Sequence, residues 1–214
     1  MIERARLSAA LVFTLAAALA GGLVSVSYEI SHDRIATNQR DRILTSLRDV
    51  LGATRFDNGV DVSATLLDAI IRRSGNEPLA IFAATHDGVP VATVFAVAAP
   101  HGYNGPIELL VGVASDGTVT GVRVLAHRET PGLGDAIEHG KSDWIDGFVG
   151  TRLGEPPVGA WKVTKDGGHF DALTGATVTP RAIVDAVRAT LLFDRNRGVG
   201  PDTALPPGQA DGGR

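Results

Sequence analysis

A short run of small and hydroxyl-bearing residues near the C-terminus has the composition of a phosphate-binding turn. The run consists of Thr174, Gly175, Ala176 and Thr177. Its small side chains predict a tight turn whose backbone a ligand can approach closely. The hydroxyl of Thr177 ends the run, within the same predicted pocket.

A helix is predicted directly after this turn, over residues 179–193. Thr179 is a favoured N-cap residue, Pro180 suits the first helical position, and apolar residues recur at helical spacing further along. The free N–H groups and the positive dipole end of such a helix bind anions such as phosphate. The same residues are compatible with an ordinary strand–turn–helix corner whose threonines only cap the helix.

A second polar segment, residues 127–134, has the sequence His-Arg-Glu-Thr-Pro-Gly-Leu-Gly. Its proline and two glycines predict a tight, rigid loop that follows a strand. Such a loop is polar and rich in accessible backbone groups, and therefore suits the edge of a flat ligand. A plain turn is the alternative interpretation.

The overall composition excludes several other kinds of site. The chain has 214 residues with 20 Lys and Arg against 24 Asp and Glu, and this net charge of −4 argues against nucleic acid as a partner. It has no cysteine, which excludes disulfides, thiolate zinc sites, cysteine-ligated iron–sulfur clusters and attached haem. The histidines lack metal-ligand spacing, so we predict no metal site. The sequence has no Gly-x-Ser-x-Gly motif for a nucleophilic serine, and we predict no complete catalytic site. Any redox chemistry must use a cofactor held without thiols.

Both segments are predicted to belong to a small α+β domain, residues 79–193, with an antiparallel sheet and flanking helices. Four apolar runs rich in valine and isoleucine, separated by glycine-containing turns, predict its strands. These strands cover residues 79–84, 91–97, 107–113 and 119–125. We also predict a helix over residues 137–148 and a further strand over residues 158–163.

The N-terminal part is predicted to anchor this domain in a membrane. Residues 7–28 carry no charge and form a transmembrane helix candidate about 33 Å long, enough for a bilayer core of about 30 Å. Arg4 and Arg6 precede it, so the positive-inside rule places residues 1–6 in the cytoplasm and the rest of the chain outside. The alternative is a signal peptide cleaved after Ala20, although the apolar run continues to Val26.

Two further segments complete the predicted organisation. Residues 29–78 predict a helical stalk, with one helix over residues 29–51 and a shorter one over residues 62–73. Residues 194–214 contain five glycines and three prolines with few apolar side chains, and predict a disordered tail.

The two polar segments together resemble the FMN-binding domain of the G subunits of Rnf electron-transport complexes. The run from Thr174 to Thr177 matches the flavinylation motif of that family, (Ser/Thr)-Gly-Ala-(Ser/Thr), and residues 129–134 match its Glu-Thr-Pro-Gly-Leu-Gly loop. Residues 102–107 and the pair Phe-Asp at 170–171 agree as well. The chain is also similar to the C subunits of sodium-pumping NADH:quinone reductases, and the resemblance covers its whole outline.

The resemblance implies a cofactor and an attachment site. In this family FMN is joined through its phosphate, as a phosphoester, to the second hydroxyl residue of the motif, which is Thr177 here. A separate flavin transferase forms this phosphothreonyl bond. The remaining motif residues are Thr174, Gly175 and Ala176. The residues implied to contact the edge of the flavin ring are Glu129, Thr130 and Leu133.

The resemblance also implies a function for the chain. It is expected to be the electron-carrier subunit of an ion-translocating ferredoxin:NAD oxidoreductase, a translocase of the inner membrane, with its FMN domain in the periplasm. Its partners would be the other subunits, which supply the ion path, because one uncharged span offers none. The alternatives are an exported covalent-FMN domain of another membrane reductase or regulator, and a flavin-free, membrane-anchored assembly module.

Overall fold

The computed structural model describes residues 2–59 and 78–197 of the chain. The chain divides into two compact units, Met1–Arg42 and Ile43–Arg214. In the first unit, the described residues all belong to helix α1, which spans Ile2–Leu51 and confirms the helix predicted over residues 29–51. Among the residues that the structure describes, no helix has the length and apolar character that a membrane crossing requires. The helix predicted over residues 62–73 lies outside the described residues.

The second unit is built on a four-stranded antiparallel sheet. Its strands are β1 (Leu79–His86), β2 (Val89–Ala99), β3 (Ile107–Ala114) and β4 (Val119–Ala126). They neighbour one another in chain order, so each strand pairs with the next one along the chain. All four predicted strands are confirmed, each extended by one or two residues at one or both ends.

Both faces of the sheet are covered, which explains why its strands are almost continuously apolar. Neighbouring residues of a strand point to opposite faces, and Phe95 and Val94 accordingly belong to two separate cores. The core of Phe95 includes the apolar stripe of helix α2 (Val178–Arg197) and the buried rings of Trp161 and Phe170. The core of Val94 includes the last turns of α1. The sheet thereby fixes the start of α2, where the candidate site lies.

The end of α1 lies very close to the sheet. Thr120 donates a hydrogen bond from Oγ1 to the carbonyl oxygen of Val50 at 2.7 Å, and so pairs one of the carbonyl groups that a helix end leaves free. A Cβ atom added to Gly121 would lie 2.7 Å from that oxygen and 2.8 Å from Cα of Val50. Glycine at this position therefore sets the distance between the helix end and strand β4.

Gly121→Ala is expected to lower the free energy of unfolding by about 1–3 kcal/mol, the usual cost of overpacking. The atoms that the new methyl group would meet belong to the backbone and cannot rotate away. Gly159→Ala is the matched control, because nothing lies within 4 Å of its added Cβ and the expected change is within about 0.5 kcal/mol. Denaturant unfolding of both variants measures the difference, and equal stabilities would contradict the close approach.

The helix predicted over residues 137–148 is wrong. This part of the chain contains two 3₁₀ turns instead, Gly134–Ile137 and Trp144–Phe148. Between them the Ser142 hydroxyl donates a hydrogen bond to the carbonyl of Ala136 and accepts one from the N–H that begins the second turn. These side-chain bonds replace the backbone bonds that a continuous helix would need.

The strand predicted over residues 158–163 is also wrong. The segment begins with the 3₁₀ turn Val158–Ala160, directly after Pro157, which has no N–H group to donate to a ladder. Its β-character is limited to an isolated bridge between Val163 and Phe170. The bridge places Val163 beside Phe170, which lies four residues before the turn that begins at Thr174.

The helix predicted over residues 179–193 is confirmed by α2, which begins one residue earlier and continues to Arg197. The first four residues of the predicted tail are therefore helical, and that part of the prediction is wrong. The ring of Phe193 packs edge-on against Phe95, with ring centroids 6.2 Å apart, and holds the last turns of α2 on the sheet. Residues 198–214 lie outside the described residues.

Candidate functional site

Thr177 occupies the N-cap of α2. Its carbonyl oxygen accepts a helical hydrogen bond from the N–H of Arg181 at 3.4 Å, and the helix begins with the next residue. The prediction that Thr179 caps the helix is therefore wrong, because Thr179 lies inside the first turn and is fully buried. The hydroxyl of Thr177 thus lies at the helix end where backbone N–H groups are free to bind an anion.

The turn before Thr177 has the tight geometry that its small residues predict. The N–H of Ala176 donates to the carbonyl of Leu173 at 3.1 Å, which closes the turn. Gly175 has φ +80°, a left-handed conformation that glycine adopts without strain. Thr174 and Gly175 are exposed, whereas Ala176 and Thr177 are half-buried.

Glu129 joins three segments of the site. The residue is only 5% exposed. Oε1 accepts a hydrogen bond from the N–H of Asn104 at 3.1 Å, and Oε2 accepts one from the hydroxyl of Thr179 at 2.5 Å. The loop after β4, the loop between β2 and β3 and the first turn of α2 therefore meet at one buried side chain. Asn104 was not among the predicted site residues.

The two segments singled out in the sequence lie side by side. A Cβ atom added to Gly175 would lie 3.1 Å from Cδ2 of Leu133, and the Leu133 side chain is 45% exposed although it is apolar. Thr130 is half-buried, and its hydroxyl accepts a hydrogen bond from Nδ2 of Asn104 at 3.2 Å. The structure thus brings the predicted ring-contact loop against the turn that carries Thr177.

Sequence reasoning missed one side chain that contacts Thr177 directly. The ammonium group of Lys165 donates a hydrogen bond to Oγ1 of Thr177 at 3.0 Å. Lys165 lies in the 3₁₀ turn Thr164–Asp166, which precedes the motif by several residues. The signal that could have found it is compositional, because Lys165 is one of only three lysines in a chain whose other basic residues are arginines.

This 3₁₀ turn is tied to the first turn of α2 by an ion pair. The guanidinium of Arg181 donates two hydrogen bonds of 2.6 Å to the two carboxylate oxygens of Asp166. The hydrogen bonds from Arg181 lower the pKa of Asp166, and the same pairing raises the pKa of Arg181. The bidentate geometry fixes the orientation of the turn as well as its distance from the helix.

A hydrogen-bonded chain supports the start of the loop behind Glu129. The N–H of Glu129 donates to Nδ1 of His127 at 3.0 Å, so the neutral imidazole carries its proton on Nε2. Nε2 lies 2.9 Å from Oε1 of Glu138, which also accepts a hydrogen bond from Lys141. The bonds from Lys141 and then His127 lower the pKa of Glu138. The histidine thus orients the backbone from which the Glu129 side chain projects.

The arrangement suits a ligand with an anionic end and a flat apolar part. Lys165 and the free N–H groups of α2 provide positive charge around the Thr177 hydroxyl. The apolar side chains of Leu133 and Val178 are 45% and 41% exposed close to the same turn. Ligand sites combine an apolar lining with a few placed polar groups, and these residues offer both kinds of surface around one turn.

Comparison with known proteins defines the class of the domain first. A family model described as "FMN-binding domain" matches residues 102–192. The match begins in the loop between β2 and β3, contains Glu129, Lys165 and Thr177, and ends within α2. This part of the chain is therefore an FMN-binding domain.

Full-length relatives define the family. The chain is 42% identical to a Pseudomonas aeruginosa protein, over 98% of this chain and 97% of that protein. It is 41% identical to one from Pseudoalteromonas atlantica, over 86% and 85% of the two chains, and 42% identical to one from Cereibacter sphaeroides, over 87% and 82%. All three are named as the G subunit of an ion-translocating oxidoreductase complex. The chain belongs to this family of G subunits.

Proposed function

We propose that this chain carries FMN as a phosphoester on Thr177 and relays electrons between other subunits of an ion-translocating oxidoreductase complex. The observation that supports the attachment best is the Thr177 hydroxyl itself, which lies at the N-cap of α2 within hydrogen-bonding distance of Lys165. FMN supplies the redox chemistry, because it takes up and gives back one or two electrons. The chain contributes binding and orientation.

The residues around Thr177 fit the two ends of FMN. Thr174, Gly175 and Ala176 form the turn that leaves the backbone open toward the phosphate. Leu133 offers an exposed apolar surface for the isoalloxazine ring, and Thr130 offers a hydroxyl beside it. Glu129 fits a different role from the ring-edge contact that the resemblance implies, because its two oxygens are already bonded within the protein. We therefore assign Glu129 to holding the loop and the helix in register.

Flavin content separates this proposal from an assembly module without a cofactor. The chain coexpressed with a flavin transferase is expected to be yellow and to keep its flavin after denaturation. The chain expressed without the transferase is the control and is expected to be colourless. A colourless product from both cultures would favour the flavin-free module.

Copurifying subunits separate the proposal from an exported FMN domain of another reductase or regulator. The native chain, isolated from membranes in mild detergent, is expected to bring down the other subunits of an ion-translocating oxidoreductase. Ferredoxin and NAD are expected to bind those subunits and not this chain. A flavinylated chain that copurifies only with a different reductase would support the alternative.

Membrane attachment by residues 7–28 belongs to the same proposal. The uncharged run, together with Arg4 and Arg6 before it, supports a single span with a cytoplasmic N-terminus and a periplasmic FMN domain. An alkaline phosphatase fused after Arg214 is expected to be active, and the same fusion lacking residues 7–28 is expected to be inactive. N-terminal sequencing is expected to find an uncleaved chain, whereas a mature protein beginning at Gly21 would show a signal peptide instead.

A further inference from the structure

We propose that Lys165 is the cationic partner of the phosphoester on Thr177, an inference that rests on the proposed attachment of FMN to this residue. The Nζ atom of Lys165 lies 3.0 Å from Oγ1 of Thr177, the oxygen that would link the chain to phosphorus. No other side-chain hydrogen bond to this hydroxyl is formed within the described part of the chain. The ammonium group of Lys165 is therefore the side-chain partner of the oxygen that would be esterified.

The position of Lys165 is fixed by its neighbours. Asp166, the next residue, forms the bidentate pair with Arg181 that ties the 3₁₀ turn to the first turn of α2. The carboxylate of Asp166 is therefore paired with Arg181 and not with Lys165. The first turn of α2 contains no acidic residue. The ammonium of Lys165 thus faces Thr177 without a carboxylate from either flanking element between them.

The hydrogen bond has a direction that suits the ester. An ammonium group can only donate, so it occupies a lone pair of Oγ1 and leaves the hydroxyl proton of Thr177 pointing elsewhere. The transferase would form the ester from an activated donor, a flavin nucleotide joined to a second nucleotide through a pyrophosphate bond. The Oγ1–P bond forms, the P–O bond of the pyrophosphate breaks, the second nucleotide leaves as a monophosphate, and the hydroxyl proton of Thr177 passes to solvent. The product is a phosphate diester with one negative charge. Lys165 has three N–H groups, enough to bond to Oγ1 and to an unesterified phosphate oxygen together. The free N–H groups at the start of α2 complete the set of donors.

Lys165 is expected to affect both the formation of the phosphoester on Thr177 and the properties of the finished ester. Lys165 would lower the cost of bringing a flavin phosphate to an otherwise neutral hydroxyl, and it would remain paired with the diester afterwards. Lys165→Met is therefore expected to slow flavinylation of the full chain at least tenfold. Lys165→Arg keeps the positive charge and is expected to stay within about threefold of the wild-type rate, because guanidinium and ammonium groups both bind phosphate.

Lys162→Met is the matched control. Lys162 is an exposed lysine three residues away and forms no hydrogen bond to Thr177 in the described chain. The same loss of a surface charge is expected to leave the rate of flavinylation unchanged. Thermal unfolding of both methionine variants before flavinylation checks that the exposed substitutions leave the fold intact, with equal midpoints expected.

The deciding measurement is the ³¹P NMR shift of the loaded proteins, taken after prolonged reaction has flavinylated every variant. Loss of the ammonium is expected to move the phosphodiester signal in Lys165→Met, while Lys162→Met keeps the wild-type shift. Equal rates and equal ³¹P shifts in all variants would overturn the role of Lys165 and leave FMN on Thr177 untouched. A wild-type chain that takes up no flavin would overturn the proposed function, and this inference with it.

Discussion

Replacement of Thr177 by alanine is expected to abolish covalent flavin attachment completely. The substitution removes the single oxygen that lies both at the N-cap of α2 and against Lys165. The measurement is in-gel flavin fluorescence under denaturing conditions, after coexpression with the flavin transferase. Fluorescence of the alanine variant at the wild-type level would contradict the assignment of Thr177.

Two substitutions control for indirect effects on this readout. Thr177→Ser keeps a hydroxyl at the same position and is expected to retain covalent flavin. Thr174→Ala removes an exposed hydroxyl at the start of the turn and is expected to leave flavin on Thr177. Loss of fluorescence in Thr174→Ala together with retention in Thr177→Ala would move the attachment site to Thr174.

Glu129→Ala is expected to have the second largest effect, a loss of about 2–6 kcal/mol in the free energy of unfolding. The substitution leaves the N–H of Asn104 and the buried hydroxyl of Thr179 without their acceptor, and each unpaired group costs about 1–3 kcal/mol. Because three segments of the site meet at this carboxylate, slower flavinylation is expected as well. Denaturant unfolding measures the stability, and a change below about 0.5 kcal/mol would contradict a linking role.

Glu129→Gln is the conservative counterpart. The amide oxygen can still accept from Asn104, while the amide nitrogen can donate to the hydroxyl of Thr179, so fold and covalent flavin are expected to survive. In the proposed arrangement the isoalloxazine ring packs on Leu133, four residues further along the same loop, so the buried Glu129 carboxylate opposes the addition of electrons to the ring by an energy on the order of 1 kcal/mol. Its removal is expected to raise the reduction potential of the flavin in a spectroelectrochemical titration. An unchanged potential would show that the carboxylate is remote from the ring.

The sheet could be predicted from the sequence because its signals are local. Apolar runs such as the one from Val89 to Ala99 are long, rich in valine and bounded by turn residues, and they are buried on both faces. The prediction for residues 137–148 failed because Ser142 forms hydrogen bonds that compete with helix formation at short range. The prediction for residues 158–163 failed because Pro156 and Pro157 lead into a 3₁₀ turn, and proline has no N–H group to donate to a strand ladder.

The details of the site depend on partners that are distant in sequence. Threonine is a residue type that N-caps favour, yet the hydroxyl of Thr179 donates a hydrogen bond to Glu129, 50 residues earlier in the chain. The buried carboxylate of Glu129 is a strong acceptor for the Thr179 hydroxyl. Thr179 therefore lies inside the first turn of α2, and Thr177 occupies the N-cap. The contact between Lys165 and Thr177 also depends on residues distant in sequence, because the ion pair between Asp166 and Arg181 positions the 3₁₀ turn that carries Lys165.

The most direct test of the account is the mass of one peptide from the native protein. Trypsin cleaves after Lys165 and after Arg181, so a single peptide, residues 166–181, carries Thr174, Thr177 and Thr179. In chain isolated from its own membranes, this peptide is expected to be heavier by FMN less one water, with fragmentation assigning the addition to Thr177. An unmodified peptide, or an addition on either of the other two threonines, would contradict the account.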